Sequence, residues 1–162
     1  MHRIFIAINL PEELKEELMK YKDRYFDLPV KWTKKENLHI TLEFLGNIDE
    51  KNLPSIFKGA EDFAQKTPPF TIKLDKINYF PDGQMPKYIF ATGNATRSDL
   101  VDFHVTLARV REWQWRQINP DEKPDVEEEI DLSFEVKSIE VMESYLKQGG
   151  PDYRVLKSYP LM

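Results

Sequence analysis

Two distant stretches of the chain repeat one pattern of chemically capable residues. The first is Asn37-Leu38-His39-Ile40-Thr41-Leu42-Glu43-Phe44-Leu45-Gly46. The second is Asp102-Phe103-His104-Val105-Thr106-Leu107-Ala108-Arg109-Val110. Both read His-x-Thr-Leu, with an apolar residue on each side of the histidine. On a strand, residues two apart share a face, so each stretch presents an imidazole beside a hydroxyl, roughly 6.8 Å apart along the backbone. Ile40, Leu42, Val105 and Leu107 take the opposite face, where a core belongs. The 162-residue chain has only seven threonines. Two chance pairings of this kind have a probability of about 0.002, which sets the repeat apart from an isolated short motif. A single such strand would read as a structural histidine beside a common strand former.

Two imidazoles flanking one cleft are what in-line displacement at phosphorus requires. One takes a proton from the attacking oxygen and the other gives one to the leaving oxygen. Histidine suits both tasks because its ordinary pKa of ~6.5 leaves both forms populated near neutrality. Thr41 and Thr106 can donate hydrogen bonds to non-bridging oxygens as charge builds there. Arg109 offers a planar fork for a phosphate. Strict alternation would turn Arg109 away from His104, so it reaches the cleft only if the strand twists or bulges after Thr106. Phe44 stands at the matching offset from His39 and reads either as a core aromatic or as a base or ribose contact.

A two-histidine metal site is the competing enzymatic reading. Glu43 is the one carboxylate weighed as a further ligand, no ligand set follows from it, and neither metal nor cofactor is expected. His2 is terminal and plays no expected part. The absence of cysteine excludes disulfides and thiolate sites. A net charge of −5 offers no global field for nucleic acid, so any polyanion site must be a local basic patch. No apolar run approaches the ~20 residues of a membrane span. The sequence goes straight into a strand-like segment, and we expect a soluble, cytoplasmic protein with no membrane contact.

The elements that must position these residues follow from periodicity. Arg3 to Leu10 is an apolar, β-branched strand. Pro11, Glu12 and Glu13 open a helix whose stripe is Leu14, Leu18, Tyr21 and Tyr25. A second helix spans Asp49 to Lys66, with Leu53, Ile56, Phe57, Ala60, Phe63 and Ala64 on one face. Strands follow at Phe70–Leu74, continuing through Ile77–Phe80, and at Lys87–Thr92. Arg111 to Glu129, with two tryptophans, two prolines and an acidic run, reads as a long loop. Trp113 and Trp115 are read as packing anchors, with substrate contact as the alternative. Strands return in Leu132–Tyr145 and Tyr153–Leu161, around a hairpin turn at Gln148–Asp152. Residues 1–162 thus read as one α+β domain of two pseudo-symmetric lobes, with antiparallel sheets, flanking helices and a central cleft.

The paired His-x-Thr stretches resemble the two-histidine (2H) phosphoesterase superfamily, and within it the RNA 2′,3′-cyclic phosphodiesterases, also called 2′-5′ RNA ligases. Arg3–Pro11 and the Gly149-Gly150-Pro151 turn with Tyr153 resemble further parts of that family. The resemblance implies metal-independent opening of a ribose 2′,3′-cyclic phosphate to a 2′-phosphate, with 2′-5′ ligation as the reverse reaction. It implies His39 as the acid on the leaving 3′ oxygen and His104 as the base on water. Thr41, Thr106 and Arg109 would contact phosphate, and Phe44 the nucleoside. The partners it implies are RNA or oligonucleotide ends bearing the cyclic phosphate, or small cyclic nucleotides. The alternative is a non-catalytic nucleotide or RNA-end binding module of the same fold.

One departure stands out. Family members place a helix before the second motif strand, where this chain has only Gly93 to Val101. The second lobe therefore lacks a helix to cover its apolar face, which includes Val105, Leu107 and Ile89. With both amphipathic helices assigned to the first lobe, the cover is either Trp113, Trp115 and the loop up to Glu129 or, as the favoured expectation, a second copy of the chain, giving a homodimer.

Overall fold

The computed structural model describes residues 1–83, 85–97, 99–100 and 102–162. Its elements are β1 (His2–Asn9), α1 (Glu12–Arg24), β2 (Val30–Trp32), β3 (His39–Ile48), α2 (Leu53–Gln65), β4 (Phe70–Phe80), β5 (Tyr88–Ala95), β6 (Val105–Val110), α3 (Glu112–Arg116), β7 (Glu127–Val136), β8 (Ser138–Lys147) and β9 (Gly150–Pro160). The strands hydrogen-bond in the order β7-β4-β5-β6-β3-β1-β8-β9, with β2 on β6. Every pairing is antiparallel. The sheet divides into two halves, one of β3, β1, β8 and β9, the other of β6, β5, β4, β7 and β2. The halves meet at one register pair, Ile40 opposite Val105. This is the α+β, two-lobed arrangement that the repeated strand predicts.

The helices are distributed differently from the sequence expectation. α1 carries Glu12 and Glu13 in its first turn and Lys22 and Arg24 in its last, matching the helix dipole at both ends. It buries Leu14 and Leu18. It leaves the first half at the end of β1 and crosses to the second. There Arg24 Nη1 and Tyr25 Oη both donate to Glu128 Oε1 on β7, at 2.7 and 2.5 Å. α2 stays with the first half, packed on β8 and β9. Each half thus has its own helix. Ile89 and Val105 are fully buried and Leu107 nearly so, and the premise for a second copy over that face falls away. Periodicity shows that a helix has an apolar stripe but not which sheet it lies against. The β1–α1–β2 link, with β2 paired to β6, decides that here.

No helix occurs among the described residues between β5 and β6, as the short connection predicts; Ser98 and Val101 of that connection lie outside them. The space it leaves is on the first half. A cavity of about 550 Å³ lies between α2, β3 and the connection, lined in part by Ile6, Leu42, Leu45, Ile56, Phe63 and Leu100.

The segment expected as a loop from Arg111 to Glu129 is partly ordered. It forms α3, and its acidic run enters edge strand β7 at Glu127. Exposed Glu127, Glu129 and Asp131 suit an edge, where charge discourages pairing with another chain. Trp115 is buried edge-on to Tyr79 with centroids 5.3 Å apart, a packing anchor, and Trp113 is exposed. One core cluster runs through both halves. A smaller one, Phe5, Ala7 and Met142 with Tyr153, lies on the other face of the first half. Among the described residues no helix is long and apolar enough to cross a membrane.

Candidate active site

His39 opens β3 on the face of the smaller cluster, and its ring is fixed from every side. Nδ1 donates to the Asn37 carbonyl at 2.7 Å. A carbonyl only accepts, so the proton of the neutral ring sits on Nδ1 and the Nε2 lone pair is presented to the cleft. Nε2 meets Thr41 Oγ1 at 2.8 Å, the pairing expected from two-residue spacing. Phe5 and Tyr153 pack against the imidazole with centroids 5.1 and 5.2 Å away. Burial among these rings pushes the His39 pKa below its ordinary value. The Asn37 carbonyl opposes this, and the nearby His104 and Lys15 add to it.

His104 lies just before β6. Asp102, in the left-handed region at φ 56°, turns the chain towards it. Aspartate tolerates that conformation better than most side chains. The His104 ring stacks face-to-face on Phe90, with centroids 3.9 Å apart and planes 10° off parallel. Tyr88 and Phe80 stack on Phe90 in turn, at 5.2 and 5.0 Å. Burial against this stack also pushes the His104 pKa down.

The Ile40–Val105 pair relates the two motifs. Extending its antiparallel register one step each way sets His39 across from Thr106 and Thr41 across from His104. Ile40 and Val105 point into the core, so all four polar side chains occupy the opposite face.

Two bulges bring the remaining expected residues to that face. Between β5 and β6 the register skips Leu107, so Thr106 lies opposite Phe90 and Arg109 opposite Tyr88. Arg109 therefore shares the face of His104, which unbroken alternation would forbid. Thr33 holds this bulge: its Oγ1 donates to the Thr106 carbonyl and its N–H to the Leu107 carbonyl, both at 2.9 Å. Between β1 and β3 the register skips Leu42 and Leu45. Phe44 then falls opposite Phe5, with rings 5.8 Å apart, and its side chain is exposed on the cleft face. Glu43 falls opposite Ile6 on the helix-bearing face, away from His39. Among the described residues no three His, Cys, Asp or Glu side chains converge. His2 bonds Glu143 at 2.7 Å, apart from both motifs.

Sequence reasoning missed Asn37, Thr33, Phe5, Tyr88 and Phe90 as parts of this site. Asn37 does double duty, since its Nδ2 also donates to the Pro151 carbonyl at 2.9 Å and anchors the hairpin that carries Tyr153. Tyr88 and Phe90, two apart on one strand, were the one periodic signal available. The 550 Å³ cavity is lined mostly by apolar side chains, but it lies on the far face, and its one cation, Arg97, is paired with Asp99 at 2.7 Å. At the two motifs a pair of imidazoles and a pair of threonine hydroxyls share one face, which makes this the candidate site.

Known proteins share both the sequence and the fold. The model of the LigT-like phosphoesterases matches residues 8–90. The RNA 2′,3′-cyclic phosphodiesterase of Methanocaldococcus jannaschii is 30% identical over 179 aligned positions, covering 97% of this chain and 99% of that protein. Its Aquifex aeolicus namesake is 24% identical, covering 98% and 97%. Among solved structures, a Thermus thermophilus protein superposes with a TM-score of 0.82 at 25% identity, covering 98% of this chain and 97% of its own. E. coli LigT complexed with 3′-AMP has the same fold, with a TM-score of 0.75 at 21% identity over 99% and 98% of the two chains. With a family model matched over half its length and a near-full-length relative at 30% identity, the chain belongs to the LigT-like phosphoesterase family.

Proposed function

We propose that this protein is an RNA 2′,3′-cyclic phosphodiesterase, which opens a ribose 2′,3′-cyclic phosphate to a 2′-phosphate without a metal, the whole chain acting as one two-lobed unit. The observation that carries this reading is the pair of imidazoles, each set across from the other motif's threonine by the Ile40–Val105 register. His104 takes a proton from water as the water oxygen attacks phosphorus. The P–O3′ bond breaks, and His39 delivers a proton from Nε2 to the departing 3′ oxygen. The burial that favours neutral imidazoles readies His104 as a base. A bound cyclic phosphate anion favours the imidazolium that His39 needs. Thr41, Thr106 and Arg109 hold the non-bridging oxygens as charge gathers on them. Phe44, exposed beside Phe5, contacts the nucleoside. With the 5′ hydroxyl of a second RNA end in place of water, His104 takes that hydroxyl's proton as its oxygen bonds to phosphorus, the P–O3′ bond breaks with its oxygen protonated by His39, and the ends are joined through a 2′-5′ bond.

The test is incubation with a 2′,3′-cyclic-phosphate-ended oligonucleotide in excess EDTA, with products separated by phosphate position. A 2′-phosphate product at an undiminished rate is expected. A rate that collapsed in EDTA and returned with a divalent metal would count against it, and binding without any hydrolysis would make the protein a binding module.

A further inference from the structure

A second groove adjoins the candidate active site, with an enclosed volume of about 530 Å³. Its lining includes Lys31, Lys87, Tyr88, Arg109 and Arg111, with Glu112 as its only acid. Glu112 is engaged elsewhere, accepting from Arg116 at 2.6 Å. Among the described residues the four cations form no ion pair. In a chain of net charge −5 they make a local basic patch.

The placement of these cations is costly for the fold alone. Lys31 lies directly opposite Arg109 across β2 and β6, and Arg109 lies opposite Tyr88 across β6 and β5. Like charges directly opposite on neighbouring strands are destabilising. Unpaired cations held side by side are explained by an anion that sits between them. The Lys31 side chain also reaches across to the β8–β9 turn, where its Nζ lies 3.2 Å from the point a Cβ on Gly150 would occupy. Gly150 has φ +119°, so its lack of a side chain serves both the turn and the lysine above it.

Resting on the cyclic phosphodiesterase reading, we infer that this groove binds the sugar–phosphate backbone of a single RNA strand on the 5′ side of the cyclic phosphate. A 2′,3′-cyclic phosphate is a 3′ terminus, so a polynucleotide substrate leaves the site in one direction only, and one groove suffices. The groove begins at Arg109, the residue that joins it to the phosphate site. Lys31, Lys87 and Arg111 lie further out and match the phosphodiesters of preceding nucleotides. Tyr88 supplies an aromatic surface of the kind on which bases stack without sequence preference. The protein then favours oligonucleotide ends over mononucleotides despite its acidic pI.

The experiment compares kcat/KM for cytidine 2′,3′-cyclic phosphate with that for a pentanucleotide ending in the same cyclic nucleotide, at low and high salt. The pentanucleotide is expected to be preferred by about tenfold or more at low salt. Its salt dependence should be steeper by about 0.7 in log–log slope for each phosphate held. In the triple variant Lys31→Glu, Lys87→Glu, Arg111→Glu the preference should fall towards one. A wild type that does not prefer the pentanucleotide, or a triple variant that keeps the preference, overturns the groove. Anisotropy titration of the labelled pentanucleotide reads the groove without turnover. Salt-sensitive binding lost in the triple variant, with hydrolysis of neither substrate, would support the groove and sink only the activity. Equal binding by both proteins would sink the groove.

Discussion

Ile40 lies directly opposite Val105 in the one register pair that joins the half-sheets, and neither side chain is accessible to solvent. Backbone pairing, rather than a loop, thereby sets the relation between the two motifs. A one-residue slip of either strand would send its histidine and threonine into the core and its Ile40 or Val105 into the cleft.

If the histidines work as a pair across this register, removing either one disables the whole step. His39→Ala and His104→Ala should each lower kcat/KM on a 2′,3′-cyclic nucleotide by ~10²–10⁴. The double variant should be little worse than the poorer single, because groups that act as a unit are not additive. Steady-state kinetics on the three variants checks this. A single variant within tenfold of the wild type would remove that histidine from the mechanism.

How far such a site can be read from sequence depends on which interactions are local. The His39–Thr41 contact follows from strand periodicity, and so does the shared face of His104 and Thr106. Phe44 and Arg109 could not be placed this way, because bulges at Leu42 and Leu107 reverse the alternation between motif and residue. Those bulges depend on partners distant in sequence; Thr33 grips the backbone at Thr106 and Leu107. Asn37 was hidden for a similar reason: its carbonyl serves a neighbour, but its amide serves Pro151 on another strand. The destination of α1 turned on the pairing of β2 with β6, which lies far downstream in the sequence.

Burial lowers the pKa of both imidazoles, and this has two consequences with a definite sign. In activity, one ring must be protonated and the other neutral, so kcat/KM should be bell-shaped in pH, reporting the pair rather than either residue. Its maximum should lie on the acid side of the ordinary histidine value of ~6.5. In stability, the folded state holds these rings neutral while the unfolded chain protonates them below ~6.5. Their contribution is complete above that value and is lost as pH falls through the folded-state pKa values. Denaturant melts across this window, on the wild type and on His39→Gln and His104→Gln, should show a shallower acid loss in the variants. A kcat/KM maximum on the alkaline side of 7 would contradict the lowered values.

Gly93 lies where β4 and β5 approach too closely for any side chain. It is opposite Leu74, beside the register shift at Asp75, and an added Cβ would land on the Lys73 carbonyl oxygen. The obstacle is backbone, which cannot swing aside as a side chain would. Gly93→Ala should therefore destabilise the protein by about 3 kcal/mol, at the upper end of overpacking costs. Thermal denaturation would show this as a lowered Tm. A neutral effect would mean that the two strands separate easily here.

Arg109 offers the sharpest test of the bulge at Leu107. Unbroken alternation from His104 would aim it at the core face, beside Leu107 and Val110, which are buried. The skipped register instead puts it opposite Tyr88, exposed, and on the same face as Thr106. No ion pair or side-chain hydrogen bond holds it there among the described residues, so its conformation serves no evident structural end. If it grips the substrate phosphate, geometry matters as well as charge: guanidinium offers two parallel donors, and ammonium a single point charge. Arg109→Lys should lower kcat/KM by about tenfold or more, the cost of one charge-assisted hydrogen bond. The Tm should not move, because charge is kept and nothing buried is lost. Lowered activity with a lowered Tm would instead make Arg109 a structural residue, and near-normal kinetics would place its side chain off the phosphate in spite of the bulge.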